Sequence, residues 1–189
     1  MSDGRGPADT DHVAAEGGGR MALTGAAVDL SRMQLLDGLS TDEATRIVAL
    51  GHTVRLTTGA ALFRLGDHAD RLFVVASGEI ALTMPVRIDG CTAEIPVEER
   101  TCGEVVGWSA LIPPYRYTLH ARAGCDSDLL AIPRTALLMH LSAEPRVGGL
   151  VMHNVARVVG QRLQVFQAMW LREMEQVIAL RAPSRRRLS

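Results

Sequence analysis

The sequence predicts a mainly β fold: an antiparallel β-roll, a jelly-roll-like double-stranded β-helix, with flanking helices and one long C-terminal α-helix. Three observations carry this. Between His52 and Arg134 the chain breaks into short aliphatic and β-branched runs separated by glycine turns, the pattern of an all-β roll or sandwich. On both sides of that stretch the apolar positions recur every three or four residues, the helical period. Beyond Pro145 that period holds to Arg181, which at 1.5 Å per residue makes a rod of roughly 50 Å, longer than a small roll needs to cover itself.

The elements follow in chain order. Residues 1–22 are rich in Gly, Asp and Ala and have few large apolar side chains, so a disordered leader is expected there. From Leu30 to Leu50 the spacing of Met33, Leu35, Leu36, Leu39, Ala44, Ile47 and Val48 predicts two short helices, with Ser40 or Thr41 capping the second and Gly51 ending it. The strand runs are HTVRLTT, AALFRL, RLFVVA, EIALTMPV, TAEIPVEER, YTLHARA and SDLLAIP, with turns at Gly59, Gly66-Asp67, Gly78 and Asp89-Gly90. A short helix from Arg134 to Leu141 leads to Ser142 and Pro145, which suit the start of the long helix. The roll with its flanking helices is thus expected over 30–142, the long helix over 145–181, and a basic tail over 182–189.

The 189 residues suffice for one ordinary domain with tails. Twenty Lys and Arg stand against 21 Asp and Glu, so a net charge of -1 supplies no global field toward nucleic acid or an anionic membrane. No apolar run approaches membrane-spanning length and no secretory signal is legible, which places the chain in the cytoplasm. Cys91, Cys102 and Cys125 are odd in number and widely spaced, and read as three reduced thiols, with no metal site.

On the long helix, Val151, Val155, Val159, Leu163, Phe166, Trp170, Met174 and Val177 step by three or four. About three turns of this stripe are expected to pack on the roll. Trp170 lies beyond its reach, and a second copy of the helix is the expected partner, giving a homodimer.

The segment GEVVGWSALIPPYRYTLHARA, from Gly103 to Ala123, reads as a tight turn, a helical turn, a proline loop and a strand. A helix start at Ser109, Ala110 and Leu111 offers free N–H groups to an anion, and Arg116 adds a fork of donors nearby.

Residues 34–165 resemble the cyclic-nucleotide-binding domain family, including the sensor halves of the CRP/FNR regulators. The resemblance rests on LLDGLS, on TTGAALFRLGDHADRLFVVASGEIAL with its G-D-x-x-D-x-L-F-V-V-x-S-G-E core from Gly66 to Glu79, and on SDLLAIPRTALLMHLSAEP. It implies a β-roll, a regulatory or sensor role, a cyclic nucleotide as ligand and signalling through the C-terminal helix. In the family a Gly-Glu pair meets the ribose and an Arg grips the cyclic phosphate. Matched through Gly107 and Thr118, these positions hold Trp108 and Tyr117, so both charges are missing; Gly103-Glu104 lacks the family's spacing, and Arg116 is one residue out of register. Loss of a buried guanidinium–phosphate pair costs about 2 to 5 kcal/mol, a factor of roughly 30 to several thousand in affinity. Cyclic AMP binding of the usual kind is therefore not expected. Trp108 and Tyr117 either line a pocket for another small molecule or fill it.

CRP/FNR regulators read DNA through a module of roughly 60 residues after the long helix. Only RAPSRRRLS follows Leu180, so no direct DNA binding by this chain is expected. Arg185, Arg186 and Arg187 read as a solvated basic tail, and the Arg-Arg-x-Ser ending resembles a basophilic kinase site. His52, His68, His120, His140 and His153 are scattered, and neither a catalytic triad nor a phosphate loop is present, so no enzyme is expected. His120 reads as a satisfied strand residue rather than a haem ligand. The alternative to a sensor is an adaptor with a blocked pocket that docks a partner protein through the long helix.

Overall fold

The computed structural model describes the backbone of residues 20–23, 26–29 and 32–181, and side chains from Arg32 to Ala179 except Ile88. Short apolar runs of alternating burial, broken by left-handed glycines, form a series of antiparallel strands. The roll comprises β3 (His52–Leu56), β4 (Ala61–Phe63), β5 (Arg71–Ser77), β6 (Ile80–Ile88), β7 (Cys91–Arg100), β8 (Val105–Val106), β9 (His120–Ala123) and β10 (Ser127–Pro133). They pair into two four-stranded sheets, β3-β10-β5-β8 and β4-β9-β6-β7. A separate hairpin precedes them, β1 (Arg20–Leu23) with β2 (Ala26–Asp29).

Leu72 to Val75 on β5 and Leu129 to Ile132 on β10 are fully or nearly fully buried, as continuous apolar runs at the centre of a sheet must be. β7 is an edge strand with mostly exposed side chains, and it tolerates Pro96 for that reason. Asp89 and Gly90, both with positive φ, make the two-residue turn between β6 and β7 that the sequence announces.

Three expectations change. The first of the two opening helices is a single 3₁₀ turn, Gln34–Leu36, because Gly38 with φ 80° takes the chain out of the helical region after Asp37. The second is α1 (Thr41–Val48), where Ser40 and Glu43 form a reciprocal capping box. The end of the expected leader, Arg20 to Ala22, belongs to β1; residues 1–19 and the tail 182–189 lie outside the described residues.

After α2 (Arg134–Ala143) the long helix α3 spans Pro145–Arg181. Its contact with the roll is longer than the expected three turns. Val147, Val151, Val155, Val158 and Arg162 are all at most 8% exposed, and together they cover about four turns. Polar ties fix the helix to the opening helical segment. Asn154 Nδ2 donates to the carbonyls of Leu35 (3.1 Å) and Asp37 (2.9 Å), Arg157 pairs with Asp37 at 3.0 Å, and Arg146 pairs with Glu43. The Arg146 and Ser40 hydrogen bonds hold the Glu43 carboxyl down at about 2. Beyond Arg162 the helix leaves the roll, and Leu163, Trp170, Leu171 and Ile178 are 55 to 67% exposed.

Candidate functional site

The segment singled out in the sequence forms one wall of the interior between the two sheets and α3. β8 delivers the chain to Gly107, whose φ of 77° and close surroundings both require glycine: a Cβ there would stand 2.9 Å from Tyr117 Cε1. Trp108–Ala110 follow as a 3₁₀ turn with Ser109 and Ala110 buried. The amides of Ala110 and Leu111 already bond back to Gly107 and Trp108, at 3.0 and 2.9 Å. The turn therefore offers an anion fewer free N–H groups than the expected helix start. Ala110 and Leu111 belong to the apolar core.

Tyr117, which the sequence match sets at the family's arginine, is 4% exposed. Its ring stacks face to face on Phe63, centroids 3.7 Å apart and planes 8° from parallel, and Phe63 in turn meets Phe73 at 6.1 Å. The Tyr117 hydroxyl donates to the Arg71 carbonyl at 2.8 Å. Burial pushes this phenol up to about 12. Gly107, Trp108, Ser109, Tyr117 and Thr118 surround a cavity of only ≈ 10 Å³, completed by Phe63, Leu82, Leu119 and Arg162. That is the space of one water-sized group.

Two predicted site residues point elsewhere. Arg116 is exposed, and its Nη1 donates to the Gly66 carbonyl at 2.7 Å, so its fork serves the β4–β5 loop and not an anion in the cavity. Gly103 is buried against the Arg32 backbone, with a Cβ leaving only 2.3 Å to the Arg32 carbonyl oxygen, and so supports the N-terminal turn. His120 accepts from the Leu65 amide at 3.0 Å through Nδ1, as a satisfied strand histidine does.

Arg162 is the residue that sequence reading passed over. It projects from α3, 8% exposed, with its guanidinium 6.0 Å from the centre of the Trp108 ring. It pairs with Glu98 on β7. Arg100 pairs with the same Glu98 and with Glu104, each at 2.7 Å. Burial lowers the Arg162 pKa; the same burial acts on Arg100, but Glu98 and Glu104 outweigh it and raise that group. A signal was present: Val151, Val155, Val158 and Arg162 step by four, three and four, so Arg162 holds an apolar position on the face that meets the roll. Outside the cavity, Met84, Trp108, Thr118, Leu119, Val159, Arg162, Leu163 and Phe166 enclose an open groove of ≈ 280 Å³ between roll and helix.

Comparison with known proteins agrees with this architecture. The model of the cyclic nucleotide-binding domain matches residues 53–143. The N-terminal domain of a transcriptional regulator from Streptomyces coelicolor A3(2) is 28% identical, with a TM-score of 0.59 over 70% of this chain and 94% of that one. The catabolite activator protein of Thermus thermophilus is 26% identical, with a TM-score of 0.62 over 75% of this chain and 63% of that one. Glutaminase 1 of Bradyrhizobium diazoefficiens is 30% identical over 144 residues, 74% of this chain; the chain spans 22% of that protein's length. Through its β-roll, the chain is similar to the cyclic nucleotide-binding domain family, whose model matches just under half of it.

Proposed function

We propose that this chain is a regulatory module that takes no cyclic nucleotide in the family's usual way and acts through α3, as a homodimer. One observation carries the reading: the two positions where the family places its ligand-binding charges hold Trp108 and Tyr117, and Tyr117 is stacked and hydrogen-bonded into the space where the ligand would lie. Pockets for molecules of nucleotide size measure roughly 300 Å³ or more, whereas the cavity here is ≈ 10 Å³. Opening it would break the Phe63 stack and strand the Tyr117 hydroxyl. No guanidinium in the segment faces the cavity to compensate a buried phosphate, since Arg116 is turned to Gly66.

The chain's likeness to 144 residues of a much longer glutaminase supports a module that modulates a partner or a covalently linked domain, without catalysis of its own. Cys91, Cys102 and Cys125 are free and exposed, which suits a reducing compartment and supports the cytoplasm. No helix among the described residues is long and apolar enough to cross a membrane.

Thermal unfolding with cyclic AMP and cyclic GMP tests the reading. A ligand at 100 times its dissociation constant adds about 2.7 kcal/mol, a shift of several degrees in a domain of this size. Millimolar concentrations of either nucleotide are expected to leave the melting temperature unchanged. A saturable rise would overturn the reading.

A further inference from the structure

The sheet β4-β9-β6-β7 carries a second hollow, on the face turned away from α3. On β9, Ala121 and Ala123 are at most 2% exposed and point into the roll, so alternation turns His120 and Arg122 to the outer face. Arg122 stands opposite Ala61 on β4 and Ala81 on β6. These short neighbours, with Gly59 just before β4, leave room around it. The hollow measures ≈ 300 Å³, a size that holds a small molecule, and its polar lining is Arg64, Glu94, His120 and Arg122.

The bonds these groups already make decide what the hollow can hold. Among the described residues, no hydrogen bond or ion pair engages the guanidinium of Arg64 or of Arg122. Asp67, three residues from Arg64, accepts from the Arg64 backbone amide at 2.9 Å and does not line the hollow. His120 accepts through Nδ1 from the Leu65 amide, which leaves its proton on Nε2 as a further donor. Glu94 accepts from the Thr83 hydroxyl through Oε2 at 3.0 Å, and its Oε1 remains an acceptor. The lining thus presents two cations and one anion with hydrogen-bonding capacity to spare. A simple anion would meet Glu94 as well as the arginines. A molecule with two carboxylates and one ammonium answers all three charges with the opposite sign.

We propose that this outer hollow binds an acidic α-amino acid, its two carboxylates toward Arg64 and Arg122 and its ammonium toward Glu94. The charges face solvent, so each pair contributes modestly, and a dissociation constant of roughly millimolar order is expected. The site lies outside the roll and does not depend on whether the interior seats a nucleotide.

The test follows backbone amides of the full chain by ¹H–¹⁵N NMR while L-glutamate, glutarate and 4-aminobutyrate are titrated separately. Glutarate lacks only the ammonium of glutamate, and 4-aminobutyrate only its α-carboxylate. L-Glutamate is expected to shift the amides of Ala61, His120 and Arg122 saturably. Each analogue should bind at least about threefold more weakly, the worth of one exposed ion pair. Arg122→Gln should weaken glutamate by a similar factor. Glu94→Gln keeps an acceptor for Thr83 and should weaken glutamate while leaving glutarate no weaker, so that the two bind alike; a merely structural role for Glu94 would not erase that preference. Both positions are exposed, so both variants are expected to keep the fold. An unsaturable response to L-glutamate, equal binding of either analogue to the unaltered chain, glutamate binding unchanged by Arg122→Gln, or a Glu94→Gln chain that still prefers glutamate to glutarate overturns the proposal.

Discussion

Tyr117 carries the proposal that this roll seats no cyclic nucleotide. Its phenol is buried, stacked on Phe63 and committed to the Arg71 carbonyl, and its pKa lies near 12 against an ordinary 10.0. For an acid whose folded pKa is raised, the neutral form is favoured in the fold. Stability from this group is therefore present below pH 10 and lost as pH rises from 10 toward 12. An ultraviolet titration of phenolate should show a late step near pH 12 that disappears in Tyr117→Phe. A phenolate titration without any late step would show that the ring is not held in this environment. At this scale sequence reading had mixed reach. That Trp108 and Tyr117 stand where the resemblance expects two charges is a reading of register alone, and whether they line or fill the space was not legible, because Phe63 and Arg71 lie far away in the chain. The direction of Arg116 was illegible for the same reason: its guanidinium donates to the Gly66 carbonyl, a pairing that no local pattern reveals.

Among the elements, α3 was the most legible and also the most instructive. Pro145 and the apolar period set its limits at Pro145–Arg181, as expected from sequence. The stripe Val151, Val155, Val159, Leu163 is in truth two stripes. Val147, Val151, Val155, Val158 and Arg162 face the roll, Val159, Leu163 and Phe166 border the groove beside it, and Trp170, Met174 and Val177 continue the stripe beyond it. Periodicity fixes how apolar residues recur but not which face meets which partner, so Arg162 was overlooked. Beyond the roll the stripe steps by four and three, the spacing that lets two copies of a helix interdigitate. Trp170 is 62% exposed in one chain and would lie in the seam of two. Trp170→Glu is expected to give a monomer in sedimentation, because the seam would have to bury a carboxylate. A dimer that persists with the glutamate would place the interface elsewhere. The opening segment was harder to read: Gln34–Leu36 carries helical spacing but yields one 3₁₀ turn, since apolar residues at three- and four-residue intervals cannot show where Gly38 reverses the chain.

Across the whole molecule, the roll was legible because turn glycines with positive φ, Gly59, Gly66, Gly78 and Gly90, punctuate strands whose inward faces must be apolar. What sequence did not disclose was the join between roll and helix. There β7, the Trp108 turn and α3 bring together a neutral cluster of four charges, a filled cavity and an open groove. We propose that this filled interior leaves no seat for a nucleotide. Backbone hydrogen exchange over residues 105–119, with and without saturating cyclic AMP, tests that claim most directly. These amides lie on the wall of the filled cavity and would be the first to feel a nucleotide seated inside the roll. The account expects identical exchange in both conditions; slowed exchange confined to this segment on adding cyclic AMP would contradict it.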